Sequence, residues 1–189
     1  MPSVGSPATG IYLDDFANQI SVDSNTVSNC YVSGISLHNT HSIRLRENNI
    51  YNNIGAGLAI YGDNASIFGL DIKRNTMISP NSKQPNFMRV SGTSVSVIDS
   101  NYYYNTSADN ISLSGTSYRL SDWNSKTGQD IHSISIPEIS SATPLFLYNP
   151  NKSDKTFPLN GTYTDAKGRI YKNLITLHSF HSAILFKKG

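Results

Sequence analysis

One short phrase returns in this chain, and its return limits the possible folds more than any other feature. Gly34-Ile35-Ser36-Leu37 comes back as Gly57-Leu58-Ala59-Ile60, 23 residues later (57 − 34). Between the two lie Ile43-Arg44-Leu45-Arg46 and Asn48-Asn49-Ile50. Each piece alternates apolar with polar residues, the period-two pattern of a strand with one buried face. Three such pieces per repeat predict three strands per coil. A coil with one apolar face cannot bury it alone, so coils of this kind must stack into a solenoid.

The rhythm extends in both directions. A first coil opens at Gly10 with Ile11-Tyr12-Leu13, followed by Ile20-Ser21-Val22 and Asn25-Thr26-Val27. The third coil, led by Gly57, continues with Leu70-Asp71-Ile72 and Asn75-Thr76-Met77. Phe87-Met88-Arg89-Val90 and the stretch 95–103 supply a fourth. Extra residues at 61–69 and 79–86 predict turns that bulge outward. Asparagines fall at 25, 48, 75 and 101, spaced 23, 27 and 26 residues apart. Asn tolerates the left-handed backbone of a sharp bend. At a strand spacing of about 4.8 Å, stacked side-chain amides can also bond into a ladder.

Charge narrows the partners. Only 15% of residues are charged, the formal net charge is +2, and no basic block occurs. Nucleic acid and anionic membrane are therefore not expected as partners. No apolar run reaches the roughly 20 residues a membrane-crossing helix needs. The lead-in 1–9 has no basic and apolar leader pattern, so a secreted protein would carry its leader outside this sequence. The one cysteine, Cys30, rules out an internal disulfide and a cysteine-rich metal site and reads as a small core residue.

After residue 113 the pattern changes. Residues 121–128 read as a short capped helix ending at Gly128. Beyond it, PLFLYNP, KTFPL, GTYTD, RIYKNLITL and SAILFKK read as antiparallel hairpins, with Asp165-Ala166-Lys167-Gly168 as the clearest turn. The expected organisation is a lead-in (1–9), parallel coils ending in the helix (10–133) and a β-hairpin cap (134–189).

The repeats over 10–113 resemble a right-handed parallel β-helix of the pectate-lyase-like superfamily. Trp123, Thr127, Gly128, Asp130 and Ser133 match a Trp-x-x-x-Thr-Gly-x-Asp-x-x-Ser stretch near the end of many bacterial β-helix carbohydrate enzymes. The Tyr163-x-Asp165-x-x-Gly168 turn and the strands after it are similar to the C-terminal cap of the same enzymes. The resemblance implies an all-β fold of about four coils, three strands each, with an antiparallel C-terminal cap. It also implies a secreted or cell-surface protein that acts on, or binds, a polysaccharide.

Candidate site residues follow from the rows that outward side chains form along the Gly-led sheet. The expected rows are Tyr12, Ser36, Ala59, Arg89 and Asp14, His38, Tyr61, Ser91, with Asp15, His41 and Asp63 in the adjoining turns. Asp14, Asp15 and His38 are the candidate catalytic groups, and Tyr12, Tyr61, Asp63 and Arg89 the candidate substrate-binding groups. Aromatic faces, carboxylates and a guanidinium are what sugar recognition uses. Adjacent Asp14 and Asp15 should point to opposite sides of a strand unless a turn intervenes. Asp14-Asp15, His38 and Arg44-Leu45-Arg46 partly resemble the order of groups in polygalacturonases, although Leu37 stands where those have glycine and Arg46 where they have lysine.

A glycoside hydrolase would need two of these carboxylates. A polysaccharide lyase would need a cation or arginine to neutralise a uronate and a base to take its α-proton. The carboxylates could hold calcium, but no cofactor and no metal ligand set is assigned. On the second sheet, Asp23, Arg44, Arg46, Asp71, Lys73 and Asp99 read as a structural charge ladder. The reading that results is a C-terminal part, or short relative, of a secreted polysaccharide-active β-helix protein. Its alternative is a non-catalytic glycan-binding or capping module whose active coils lie upstream.

Overall fold

The computed structural model describes residues 8–62, 67–80, 84–90, 97–106, 111–136 and 144–188. Its first compact unit runs to residue 135 and the second from 136 onward. The first unit is a parallel β-solenoid. Strands β1 (Ile11–Leu13), β2 (Ser21–Asp23) and β3 (Thr26–Ser28) make the first coil, and β4 (Ser33–His38), β5 (Arg44–Arg46) and β6 (Asn49–Tyr51) the second. The third holds β7 (Ala56–Tyr61), β8 (Asp71–Lys73) and β9 (Thr76–Ser79); the fourth holds β10 (Phe87–Arg89), β11 (Val97–Asp99) and β12 (Tyr102–Asn105). About three turns of solenoid separate β1 from β10. Next, β13 (Ile111–Leu113) extends the first sheet and β14 (Thr116–Tyr118) closes it antiparallel. After helix α1 (Leu120–Thr127), β15 (Ile134–Ser135) adds to the third sheet.

Each sheet sends one face inward, as the period-two pattern requires. Ile35, Leu37, Leu58, Ile60 and Phe87 enter the core from the first sheet, Leu45 and Ile72 from the second, and Ile50 and Met77 from the third, all fully buried. The Gly-led corner is too tight for side chains. A Cβ on Gly34 would lie 2.6 Å from the Asn53 amide nitrogen and 2.7 Å from the Gly57 carbonyl oxygen. One on Gly57 would lie 2.4 Å from the Asn86 carbonyl oxygen.

The asparagine ladder is present, and it runs through the buried bend between the second and third sheets. Asn48 Oδ1 accepts from the backbone N–H of Asn25 (2.9 Å) and its side-chain amide (3.2 Å). Asn75 Oδ1 accepts the same pair from Asn48 at 3.1 and 2.9 Å, and Asn101 Oδ1 the pair from Asn75 at 2.9 and 3.1 Å. The amides of Asn48, Asn75 and Asn101 also donate to the carbonyls of Val22, Leu45 and Ile72, at 2.8, 2.9 and 3.1 Å. The left-handed backbone, however, is not carried by these asparagines. It falls one residue earlier, on Ser24, Glu47, Arg74 and Ser100 (φ 59°, 57°, 56° and 59°). The ladder and the bend are thus divided between neighbouring positions.

Asp130 ends the ladder. It is buried, and its Oδ1 accepts from the Asn101 amide (3.2 Å), the Tyr103 hydroxyl (3.1 Å) and the Ser133 hydroxyl (2.5 Å). Its Oδ2 accepts from Trp123 Nε1 at 2.9 Å. Trp123 is itself fully buried and meets Phe87 edge-on at 5.7 Å. The Trp-x-x-x-Thr-Gly-x-Asp-x-x-Ser stretch therefore forms the polar stop of the ladder and packs α1 onto the core. Thr127 Oγ1 donates to the Trp123 carbonyl (2.8 Å), and Gly128 takes the left-handed C-cap (φ 68°) that turns the chain toward Asp130. The helix starts at Leu120, and its N-cap, Arg119, makes no side-chain cap hydrogen bond.

The second unit is an antiparallel sheet of β16 (Leu145–Tyr148), β17 (Lys155–Asp165), β18 (Ile170–Leu177) and β19 (Ser182–Lys187), ordered β16-β19-β17-β18. KTFPL and GTYTD, expected as two strands, form one, with a bulge between Pro158 and Thr162. At the 165–168 turn Asp165 Oδ1 accepts from the Lys167 and Arg169 N–H groups, both at 2.9 Å. Leu159, Tyr163, Ile175, Leu177 and Leu185 make this unit's own core.

These contacts predict a graded cost along the ladder. Asn75→Ala should lower stability by about 2–3 kcal/mol, because it strands buried amide and carbonyl groups. Asn25→Ala, at an exposed rung, should cost less than about 1 kcal/mol. Urea unfolding of the two variants checks the order; equal costs would contradict it.

Candidate functional site

The site is built where first-sheet strands run out. Asp14 follows directly on β1, His38 is the last residue of β4 and Tyr61 the last of β7. His38 and Tyr61 are in register, and one coil, 24 residues, separates His38 from Asp14. Strand alternation would part Asp14 from Asp15, but a turn intervenes. The Ala17 N–H donates to the Asp14 carbonyl at 2.9 Å, and Phe16 takes a left-handed conformation (φ 64°). The turn swings Asp15 to the same side as Asp14.

Three expected catalytic groups are thereby brought together. His38 Nδ1 lies 2.6 Å from Asp14 Oδ1 and 3.4 Å from Asp15 Oδ1. One ligand-type atom from each of the three lies within 4.8 Å of the others. Asp15 Oδ1 also accepts from the Asn39 amide at 2.7 Å. Tyr12 and Tyr61 stand on either side of the imidazole, with ring centroids 6.3 and 5.0 Å from it. The Tyr12 hydroxyl donates to Asp14 Oδ1 at 3.1 Å. Gly62 makes room for this arrangement: its φ is 128°, and a Cβ there would lie 2.1 Å from Asn39 Oδ1.

The electrostatics follow from these contacts. The His38 imidazole above all, helped by the Asp15 backbone N–H and the Tyr12 hydroxyl, holds the Asp14 carboxyl below the usual carboxylate range. The hydrogen bond with Tyr61 first, then burial and the Asp14 carboxylate, push the Tyr12 phenol well above its ordinary value. Asp14 is thus an ionised acceptor, and Tyr12 stays a neutral donor.

One expected member, Arg89, does not join. The fourth coil enters the first sheet one residue out of the expected phase: Met88, not Arg89, pairs with Ala59, and Arg89 pairs with Ile60. Arg89 thus shares the inward row of Leu37 and Ile60, and its guanidinium lies 6.0 Å from the Trp123 ring centroid. The row beside Tyr12 is also less open than expected, because Ser36 and Ala59 are buried. Asp63 lies outside the described residues, as do Ser91 and parts of the two expected bulges.

Arg44 and Arg46, the polygalacturonase-like pair, sit on the second sheet. There they pair with Asp23 and Asp71, while Lys73 lies 3.7 Å from Asp71 and Arg74 3.1 Å from Glu47. That sheet is a charge ladder, as its sequence suggests, with Asp23 beside Arg46 and Arg44 beside Asp71 in register, but its ion pairs run diagonally, Arg44 to Asp23 and Arg46 to Asp71. Asn39 was not singled out in the sequence, although it stands one coil from Asp15 just as His38 stands one coil from Asp14. His41 stacks on Phe68 at 4.5 Å in the adjoining turn. His132 pairs with Asp99 (2.7 Å) and His178 with Asp154 (3.0 Å), both on the surface.

The Asp14–His38 contact has a definite pH signature. A depressed folded-state carboxyl contributes stability at pH values above the ordinary aspartate pKa and loses it as the pH falls through the depressed value. Nuclear magnetic resonance should find Asp14 titrating below the usual aspartate range, and His38→Ala should move it back up. An Asp14 titration unchanged by that substitution would refute the pairing.

Comparison of the chain with protein-family models, with curated proteins and with solved structures finds no match in any of the three.

Proposed function

We propose that this chain is a carbohydrate-active parallel β-helix protein of the pectate-lyase-like kind, a C-terminal part or short relative of a secreted protein. In this reading an extended glycan lies along the strand ends of the first sheet, over Asp14, Asp15 and His38. The observation that carries the reading is the convergence of two carboxylates and one imidazole between two tyrosine rings. Tyrosine faces stack on sugar rings, and carboxylates take hydroxyl donors in charge-assisted bonds.

The roles follow from the hydrogen bonds. The Asp14 carboxylate only accepts, so the His38 Nδ1 it contacts carries the proton, and Nε2 carries the lone pair. Nε2 is then the group that takes a proton, from a water in hydrolysis or from the carbon next to a uronate carboxyl in elimination, and the imidazolium so formed returns a proton to the departing glycosidic oxygen. Asp14 positions the ring and stabilises the imidazolium that forms. Asp15, fixed by Asn39, is the second carboxylate. The oxygens of Asp14 and Asp15 lie within 4.8 Å.

A polysaccharide panel tests the reading, with new reducing ends and the ultraviolet absorbance of unsaturated uronates as readouts. Reducing ends alone would make the reaction hydrolysis, and an unsaturated product elimination. His38→Ala should lower the rate about 10²–10⁴-fold, the usual worth of a positioned proton-transfer group. Retention of glycan without any product would leave the binding-module alternative. Neither product nor retention would refute both.

A further inference from the structure

The charge around the site points to a particular class of glycan. Asp14 and Asp15 are both open to solvent, with side chains 55% and 54% exposed. Among the described residues neither has a lysine or arginine ion-pair partner; both face His38. Two carboxylates against one imidazole leave the cluster negative even when the imidazole is protonated.

Cations that could offset this charge are held elsewhere. Arg44 and Arg46 pair with Asp23 and Asp71 on the second sheet, and Arg89 lies by the Trp123 ring on the inward row. A uronate polymer would therefore bring like charge against like, at a cost. An ammonium group would find two carboxylate acceptors and the faces of Tyr12 and Tyr61, which attract cations through the ring quadrupole.

Resting on the glycan-site reading, we propose that the preferred ligand is a glycan bearing free amino groups, that is, a polymer of amino sugars without N-acylation. His38, Tyr12 and Asn39 already hold the Oδ1 atoms of Asp14 and Asp15, so the protonated amine takes their Oδ2 atoms, and neighbouring sugar rings lie on the tyrosines. Because Asp14 remains ionised in mild acid, the site keeps its negative charge where such amines are fully protonated.

The test compares three oligosaccharides of equal length in mild acid by calorimetry: β-linked glucosamine, its fully N-acetylated form, and galacturonate. The glucosamine oligomer should bind most tightly and weaken as salt is raised. Asp15→Asn, with its fold verified by circular dichroism, should weaken that oligomer by about two- to fivefold, the worth of an exposed charge pair. It should also narrow the gap to the N-acetylated form. Equal affinity for the first two ligands, or tighter binding of galacturonate, would overturn the amine preference while leaving the glycan site standing. Binding of none of the three, with no retention of any glycan in the wider panel, would overturn both.

Discussion

A column of buried amides holds the coils in step. An asparagine side chain offers an acceptor and donors in one plane, so asparagines at the same bend of successive coils can pass hydrogen bonds along the axis. Here each Oδ1 takes both the backbone and the side-chain N–H of the asparagine in the preceding coil. Such a column has a direction, and its last amide donor needs an acceptor that asks for no donor site in return. A carboxyl group meets that need, and Asp130 supplies it, with Trp123, Tyr103 and Ser133 donating to the same group. Burial pushes the Asp130 pKa up, against the four hydrogen bonds that pull it down. The ladder therefore ends on a group that tolerates burial only with all its donors in place.

Register is what this column transmits. The ladder and the close glycine corner fix where each coil bends, so residues about one coil apart are brought into contact along the axis. Asp14 against His38, Asp15 against Asn39 and His38 against Tyr61 are all consequences of that stacking. On the second sheet the same stacking sets carboxylates against guanidinium groups, and those charges spend themselves on one another. On the first sheet no lysine or arginine takes that place beside Asp14 and Asp15 among the described residues, and the carboxylates remain open to solvent. One architecture thus gives one face of paired charges and one face with open carboxylates.

Most of this was legible where a landmark recurs. Gly34 and Gly57 mark a corner with no room for a Cβ, and the asparagine spacing marks the ladder. The grouping of Asp14, His38 and Tyr61 follows from counting coils. Legibility failed where the landmark is missing. In the fourth coil Asn86 stands at the glycine position, its amide bonded to the carbonyls of Met77 and Tyr104 at 2.6 and 2.8 Å. Without a glycine to set the phase, Arg89 is read on the outer row, whereas the core claims Phe87 and carries Arg89 inward. The left-handed residues escaped for a different reason. Ser, Glu and Arg give no local signal for that conformation, and the neighbouring stacked amides impose it. Asn39 and the Asp14–Ala17 turn were hidden because turn geometry, unlike strand phase, is not written as a period.

The central claim is that the strand ends around His38 form a glycan site. It is tested most directly by following the ring resonances of Tyr12, Tyr61 and His38 while an oligosaccharide is titrated in. The account predicts that these three shift together and saturate at one affinity, while His132 and His178, paired elsewhere on the surface, stay still. Saturable binding that moves the histidines away from this sheet and leaves Tyr12, Tyr61 and His38 unperturbed would contradict it.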